Sequence, residues 1–277
     1  MVLKRIQTII RDAGLASRRK AEEMILEGRV TLAGKVVENL GAKADPEKDH
    51  IKVDGKLLRP VEKAKFYFIF NKPRNVVSTM SDPEGRPCLG ELLKSMKIPL
   101  FTVGRLDFDA EGLMILTNDG ELAQKLGHPS FRVPRQYLVK VRGNPDDETL
   151  DLIRKGMDLG EGDRLGDVEC EVIKRQKTTT WARVTLYEGK KNEIKRIFDA
   201  IRHPVRKIRR VSFGPFTLGK VPSGALRQFT PEEMAQLRRI LREPAKKKEK
   251  TTEPSRPGKV RTSPPSRRRG PRERPRG

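Results

Sequence analysis

The chain has 277 residues, enough for one large domain or two ordinary ones with a tail. It carries 60 Lys and Arg against 37 Asp and Glu, a net charge of +23, and only 35% hydrophobic residues. That balance points to a polyanionic partner, because Lys and Arg gain affinity by displacing phosphate counterions, and it disfavours a membrane role, since no apolar stretch approaches spanning length.

The N-terminal MVLKRIQTIIRDAG alternates charged and apolar residues without the apolar core of a signal peptide. A short amphipathic helix is expected over Arg5 to Asp12, stopping at Gly14, which adopts positive φ without penalty. Ser17 is placed to cap a second helix, SRRKAEEMILEGR. Two strand pairs follow, VTLAGKVV and HIKVDGKLL, each turning at a glycine. Arg18, Arg19 and Lys20 fall in the first turn of the second helix, where cations oppose the helix dipole. Such clusters are commonly just solvated surface, but this unfavourable placement favours phosphate contact. The segment RDAGLASRRKAEEMILEGRVTLAGKVV resembles the S4 RNA-binding domain, which implies binding of structured RNA and no chemistry.

After a charged linker, KFYFIFNKP reads as a strand and opens a second domain. Further strands are expected at Phe101–Val103, Leu113–Leu116, Tyr137–Val141, Val168–Ile173 and Ala182–Leu186. Helices are expected at Glu121–Leu126, Glu148–Lys155 and Asn192–Ile201. A last helix is signposted by Thr230 as N-cap, Pro231 at its first position and Glu233 completing a capping box. The mixture is α+β rather than repeating βαβ. From Pro244 the chain has seven prolines and 13 Lys and Arg against three acids, +10 of the total charge. It cannot bury enough apolar surface to offset its ordering entropy, so a disordered basic tail is expected. The domain limits are thus 1–62, 63–243 and 244–277.

Cys88 and Cys170 cannot build a disulfide framework, and His50, His128 and His203 lack metal-ligand spacing. No metal and no cofactor is expected, and the setting is a reducing cytoplasm. Neither a P-loop nor a GxGxxG between strand and helix is present. What remains is GRLDFDAEGLMILTNDGEL, where Arg105, Leu106 and Asp107 stand at a strand's C-terminal edge. Taken alone, an aspartate there reads as a solvated or capping residue.

That segment closely resembles the catalytic motif of the pseudouridine synthases that modify single sites in bacterial ribosomal RNA. RQYLVKV (135–141), YEGKKNEIKRIFDAIRHPV (187–205) and IRRVSFGPFTLGKVPSGALRQFT (208–230) follow in the family's order. The resemblance implies an S4-like module, a mixed-sheet synthase domain and an isomerase needing neither redox partner nor metal. It makes Asp107 the nucleophile. It also gives Lys195 the task of keeping that carboxylate charged in a closed pocket. Lys191, Lys195 and Arg202 then lie along one helix edge, with Lys191 and Arg202 toward RNA. Read alone, Lys195 is a snorkelling surface lysine. Tyr137 shares a strand face with Val139 and Val141 and alone reads as core, but the resemblance sets it against the flipped uracil. It places Arg105 in the RNA stack, where a guanidinium plane can fill the gap; alone it would bond its own loop.

The chain departs from the family pattern at three places. Asn192 and Glu193 replace a common His-Gln, Asn75 stands where glycine is common, and Lys195 replaces an arginine. Asn tolerates left-handed φ, so the turn at Asn75 can survive. The expected partner is ribosomal RNA or a ribosomal assembly intermediate, bound by a monomer. The layout of S4 module plus basic tail favours large-subunit RNA. Small-subunit RNA and a non-catalytic S4-type assembly factor are the alternatives.

Overall fold

The computed structural model describes residues 3–58, 64–96, 98–160 and 163–242. The expected boundary at 62/63 and the tail at 244–277 lie outside the described residues. In the N-terminal module, β1 (Lys4–Arg5) leads into α1 (Ile6–Asp12) and α2 (Arg18–Leu26). The Ser17 hydroxyl accepts the Lys20 N–H at 3.2 Å and caps α2. β2 (Val30–Leu32), β3 (Lys35–Val36), β4 (Lys43–Ala44), β5 (Ile51–Val53) and β6 (Lys56–Leu57) follow. Four of them form the order β3-β2-β5-β6, while β4 pairs with β1. The hairpin turns Ala33-Gly34 and Asp54-Gly55 hold positive φ at both residues, the geometry that matches strand twist in two-residue turns. Ile6, Ile10 and Ile25 pack against Val30, Ile51 and Val53 as a separate core.

The second domain contains β7 (Tyr67–Lys72), α3 (Leu89–Leu92), β8 (Phe101–Val103), β9 (Glu111–Thr117) and α4 (Gly120–Gly127). It continues through β10 (Arg135–Arg142), α5 (Asp147–Arg154), β11 (Val168–Arg175), β12 (Thr179–Leu186) and α6 (Glu193–Ala200). β13 (Val205–Phe213), β14 (Phe216–Thr217), β15 (Leu226–Gln228) and α7 (Pro231–Arg242) close it. The nine-stranded sheet runs β11-β12-β10-β13-β9-β7-β15, with β8 on β9 and β14 on β13. This is the expected α+β architecture with a mixed sheet, because β13 and β9 pair in parallel and every other pairing is antiparallel.

The central strands are covered on both faces, which explains their near-continuous apolar runs. On one side Phe68, Phe70, Met114 and Leu116 join Val139, Val141 and the apolar faces of α5 and α6. On the other, Tyr67, Ile69, Leu113 and Ile115 meet Leu122 and Leu126 of α4 and Leu237 of α7. The parallel join needs a glycine at 112. Its φ is +114°, and a Cβ there would lie 2.3 Å from the Arg210 carbonyl oxygen. The last helix carries its capping box: the Thr230 N–H donates to Glu233 at 2.9 Å, and the Glu233 N–H to the Thr230 hydroxyl at 3.3 Å. Such a cap is worth about 1 kcal/mol.

Two expected helices are shorter than anticipated: α2 ends at Leu26 rather than at Arg29, and α6 is trimmed at both ends. The helix anticipated over Asn192–Ile201 spans only Glu193–Ala200, because Asn192 sits in the left-handed region and Arg202 leaves the far end with positive φ. Strands β13 to β15 and helix α3 fall outside the expected elements altogether.

Candidate active site

The loop from Gly104 to Ala110 joins β8 to β9 at the sheet edge, and its backbone is pinned from several sides. The Ser78 hydroxyl donates to the Leu106 carbonyl at 2.6 Å and accepts the Leu106 N–H at 3.1 Å. Lys72, fully buried at the end of β7, donates to the carbonyls of Pro73, Asp107, Phe108 and Ala110 at 2.9–3.3 Å. The Asn75 N–H reaches the Phe108 carbonyl at 2.7 Å from a residue with φ of 59°, so asparagine does supply the left-handed turn. Arg74 Nε donates to the Asp109 carbonyl at 3.1 Å. Burial pushes the Lys72 ammonium down to about 8, opposed by the charges of Asp109, Asp107 and Glu111. Bonds from a charged donor contribute about 1.5–3 kcal/mol each, so Lys72 holds this loop more firmly than any surface pair could.

Asp107 is half-buried on this anchored loop, and its carboxylate has no hydrogen bond or ion pair within the described residues. It faces a cavity of about 280 Å³ lined also by Arg105, Tyr137, Lys191, Glu193, Arg135 and Arg210. The floor belongs to β10 and β13. Arg135 and Tyr137 share one face of β10, and Tyr137 stands opposite Arg210 in register. A bulge of β13 between these pairs leaves Val211 unopposed, a local twist of the kind that re-aims side chains beside active sites. Tyr137 is 8% exposed and belongs to the core as well as to the cavity wall.

Lys195 does not take the expected place. Its Nζ lies 2.7 Å from Asp109 Oδ1, and no bond joins it to Asp107. The two aspartates are separated by one residue on the same loop, and the pinned backbone presents Asp109 to α6. The two side chains are 31% and 43% exposed, so the pair contributes below about 1 kcal/mol and acts through position more than stability. Lys191, Lys195 and Arg202 do not share a helix edge either: Lys191 precedes α6 and lines the cavity, whereas Arg202 lies beyond its C-terminal end. Arg105 is exposed at the cavity mouth. In the other module, Arg18 and Arg19 are exposed without a bonded partner among the described residues, while Lys20 is engaged with Glu23 at 2.8 Å.

Glu193, at the position where the expected pattern has glutamine, is buried, and its carboxylate accepts the Lys190 N–H at 3.0 Å. Burial raises its pKa, so its neutral form comes closer to the amide it replaces. Lys72, Ser78, Arg135 and Arg210 are further residues of the site that the sequence motifs do not mark. Two of them carried a signal. A lysine ending the run FYFIFNK must be buried with its strand, and Arg135 has the same parity as Tyr137.

No helix among the described residues is long and apolar enough to cross a membrane. A small helix–strand module bearing exposed arginines adjoins a mixed sheet with a free carboxylate over a cationic cavity. A basic chain that holds a carboxylate over a cationic cavity has the make-up of an enzyme acting on a polyanion. The S4 domain model matches residues 4–51, and the RNA pseudouridylate synthase model matches residues 66–200. The chain is 41% identical over 238 residues to an uncharacterized RNA pseudouridine synthase of Aquifex aeolicus, covering 86% of this chain and 94% of that one. It is 38% identical over 240 residues to the ribosomal large subunit pseudouridine synthase B of Bacillus subtilis, covering 86% and 97%. A crystal structure described as a pseudouridylate synthase superposes with a TM-score of 0.60 at 25% identity, over 83% of this chain and 97% of the other. The chain belongs to the RNA pseudouridine synthase family.

Proposed function

We propose that this enzyme converts one uridine of ribosomal RNA, in the large subunit, to pseudouridine in the cytoplasm, with Asp107 as nucleophile. The observation that carries the reading is a free carboxylate on an immobilised loop: Lys72 and Ser78 hold the backbone while the Asp107 oxygens stay unbonded over the cavity. A nucleophile so arranged is positioned in advance and loses no hydrogen bond on attack. Preference for large-subunit RNA rests on relatives in Bacillus subtilis and Pseudomonas aeruginosa, both named ribosomal large subunit pseudouridine synthase B.

In this reading the target uridine leaves the RNA stack and enters the cavity. Tyr137 lies against the ring and offers its phenol for moving the C5 proton, and Arg105 fills the vacated place in the stack. Lys191 meets phosphate at the mouth, while Arg18, Arg19 and Lys20 of the S4 domain and Arg202 beyond α6 give phosphate contacts that orient the RNA. Lys195 acts through Asp109, fixing the loop rather than charging Asp107. The monomer handles each site alone, without metal or cofactor. The test is to map pseudouridines across ribosomal RNA from cells with and without this gene. Loss of one large-subunit site is expected. Loss of a small-subunit site would move the substrate, and loss of none would leave a non-catalytic RNA-binding role.

A further inference from the structure

Arg135 and Arg210 are arranged in a way that the packing of the sheet does not require. Arg135 is 7% exposed and Arg210 is 1% exposed. An isolated buried charge costs several kcal/mol, so buried arginines ordinarily pair with carboxylates. Among the described residues, neither is bonded to one. Arg210 Nε donates to the Leu113 carbonyl at 2.7 Å, and one of its terminal nitrogens, Nη2, is buried with no partner. Arg135 reaches only the carbonyls of Leu126 and Gly127, at 3.3 and 3.5 Å, and its Nη1 has no partner. Both guanidinium groups lie over the ring of Phe213, at 5.0 and 4.9 Å, which brings two like charges together. A cation–π contact returns less than it costs to bury either charge. Burial and the neighbouring Arg210 charge both lower the Arg135 pKa. Both side chains line the cavity that Asp107 faces.

We propose that Arg135 and Arg210 form an anion cradle for the uracil ring, binding its carbonyl oxygens as negative charge builds on them; this rests on reading the cavity as the seat of the target base. Both routes open to Asp107 put charge there. Attack at C1′ breaks the C1′–N1 bond and leaves its electron pair on the ring, shared between O2 and O4. Attack at C6 pushes the C5–C6 π electrons onto O4. The charge disappears once C5 is joined to C1′, Asp107 is released, C5 has lost its proton and N1 has gained one. No oxidant or reductant is consumed. Donors fixed in a dry site act most strongly on charge that develops during reaction, because they need no reorganisation. A phosphate is the poorer occupant, since a backbone group needs solvent-facing donors and these two side chains are nearly fully buried.

The test uses the full chain and a ribosomal RNA fragment carrying its target, under single-turnover conditions. Arg135→Met and Arg210→Lys should each slow N1–C1′ cleavage by about 100-fold or more, with RNA affinity within a few-fold. Arg135→Met should melt at or above the wild-type temperature, because it removes an unpaired buried charge. With 5-fluorouridine at the target, the fluorine stabilises the ring anion, and the deficit of each variant should shrink by about tenfold or more. An equal deficit on both substrates, a lowered melting temperature that tracks the lost rate, or wild-type turnover would overturn the cradle. So would a reduced salt dependence of binding, which would assign the arginines to a phosphate. Asp107→Asn is run in parallel: if it still cleaves uridine, the reading of the cavity itself fails, whatever the arginine variants do.

Discussion

At the start of α2, Arg18 and Arg19 stand in solvent with no bonded partner among the described residues, whereas Lys72 at the end of β7 is fully enclosed and donates to four carbonyls. Both regions are cationic, and composition does not distinguish them. Their surroundings do. An exposed arginine keeps its hydration until an anion replaces it, and affinity gained in that way weakens with salt. A buried ammonium has exchanged water for fixed carbonyls and cannot leave without loosening them, so it supplies shape. The lesson is that a high positive charge in such an enzyme divides between holding RNA and holding the protein, and burial decides which.

The sharpest way to test that division is at the point both regions serve. Asp107→Asn is expected to abolish isomerisation while RNA affinity stays within a few-fold, because affinity comes from phosphates bound elsewhere. Near-normal product from the purified variant would break the comparison at its centre.

The Lys195–Asp109 pair comes next. Lys195→Met and Asp109→Asn should each lower turnover about 10–100-fold by letting the loop shift, and the double variant should be no worse than either single one. Lys195→Arg should keep most activity. If Lys195→Met is far more damaging than Asp109→Asn, the lysine serves Asp107 directly, as the family resemblance implies, and the pair in this structure is a resting arrangement.

On the exposed side, replacing Arg18 and Arg19 together by alanine should leave turnover at saturating RNA unchanged. The slope of log K against log salt should fall by roughly 1.4–1.8, at ~0.7–0.9 per phosphate contact. Binding measured at several salt concentrations decides it, and an unchanged slope would remove α2 from the RNA surface.

The smallest effect concerns pH. Burial holds Lys72 at about 8 in the folded protein, against an ordinary lysine value of 10.5. Between those values the unfolded chain binds the proton that the folded chain has released, so this group's contribution to stability rises with pH there. Below about 8 both forms are protonated and the burial penalty is fully present. Urea unfolding of the wild type and of Lys72→Gln should therefore show the difference moving toward the wild type from about pH 8 to pH 10. A constant difference would mean that Lys72 titrates normally despite its enclosure.

Much of the architecture was legible because its signals are local. Ser17 and Thr230 cap helices whose first turns lie within three residues of them, and the two-residue hairpin turns and Asn75 depend on their own φ. The alternation of Tyr137, Val139 and Val141 placed one strand face in the core before any neighbour was known. The S4-like module and the Asp107 motif were likewise readable as ordered patterns. The start of α6 was not, because helix periodicity continues through Asn192 while its backbone turns left-handed.

What the sequence by itself determined, then, was most of the elements up to β12, the strongly basic charge and the aspartate at a strand edge, since each depends on residue type and close spacing. Only the tertiary structure decided which carboxylate meets Lys195, because Asp107 and Asp109 differ by two positions on a loop whose direction is set by Lys72 and Ser78, some thirty residues away in the chain. Only it could bring Arg135 and Arg210 to one ring of Phe213, since that meeting requires β10 beside β13 and a bulge between them. The physical reason is range: propensity and capping act over a few residues, whereas the burial of a charge depends on surfaces that touch only once the sheet has formed.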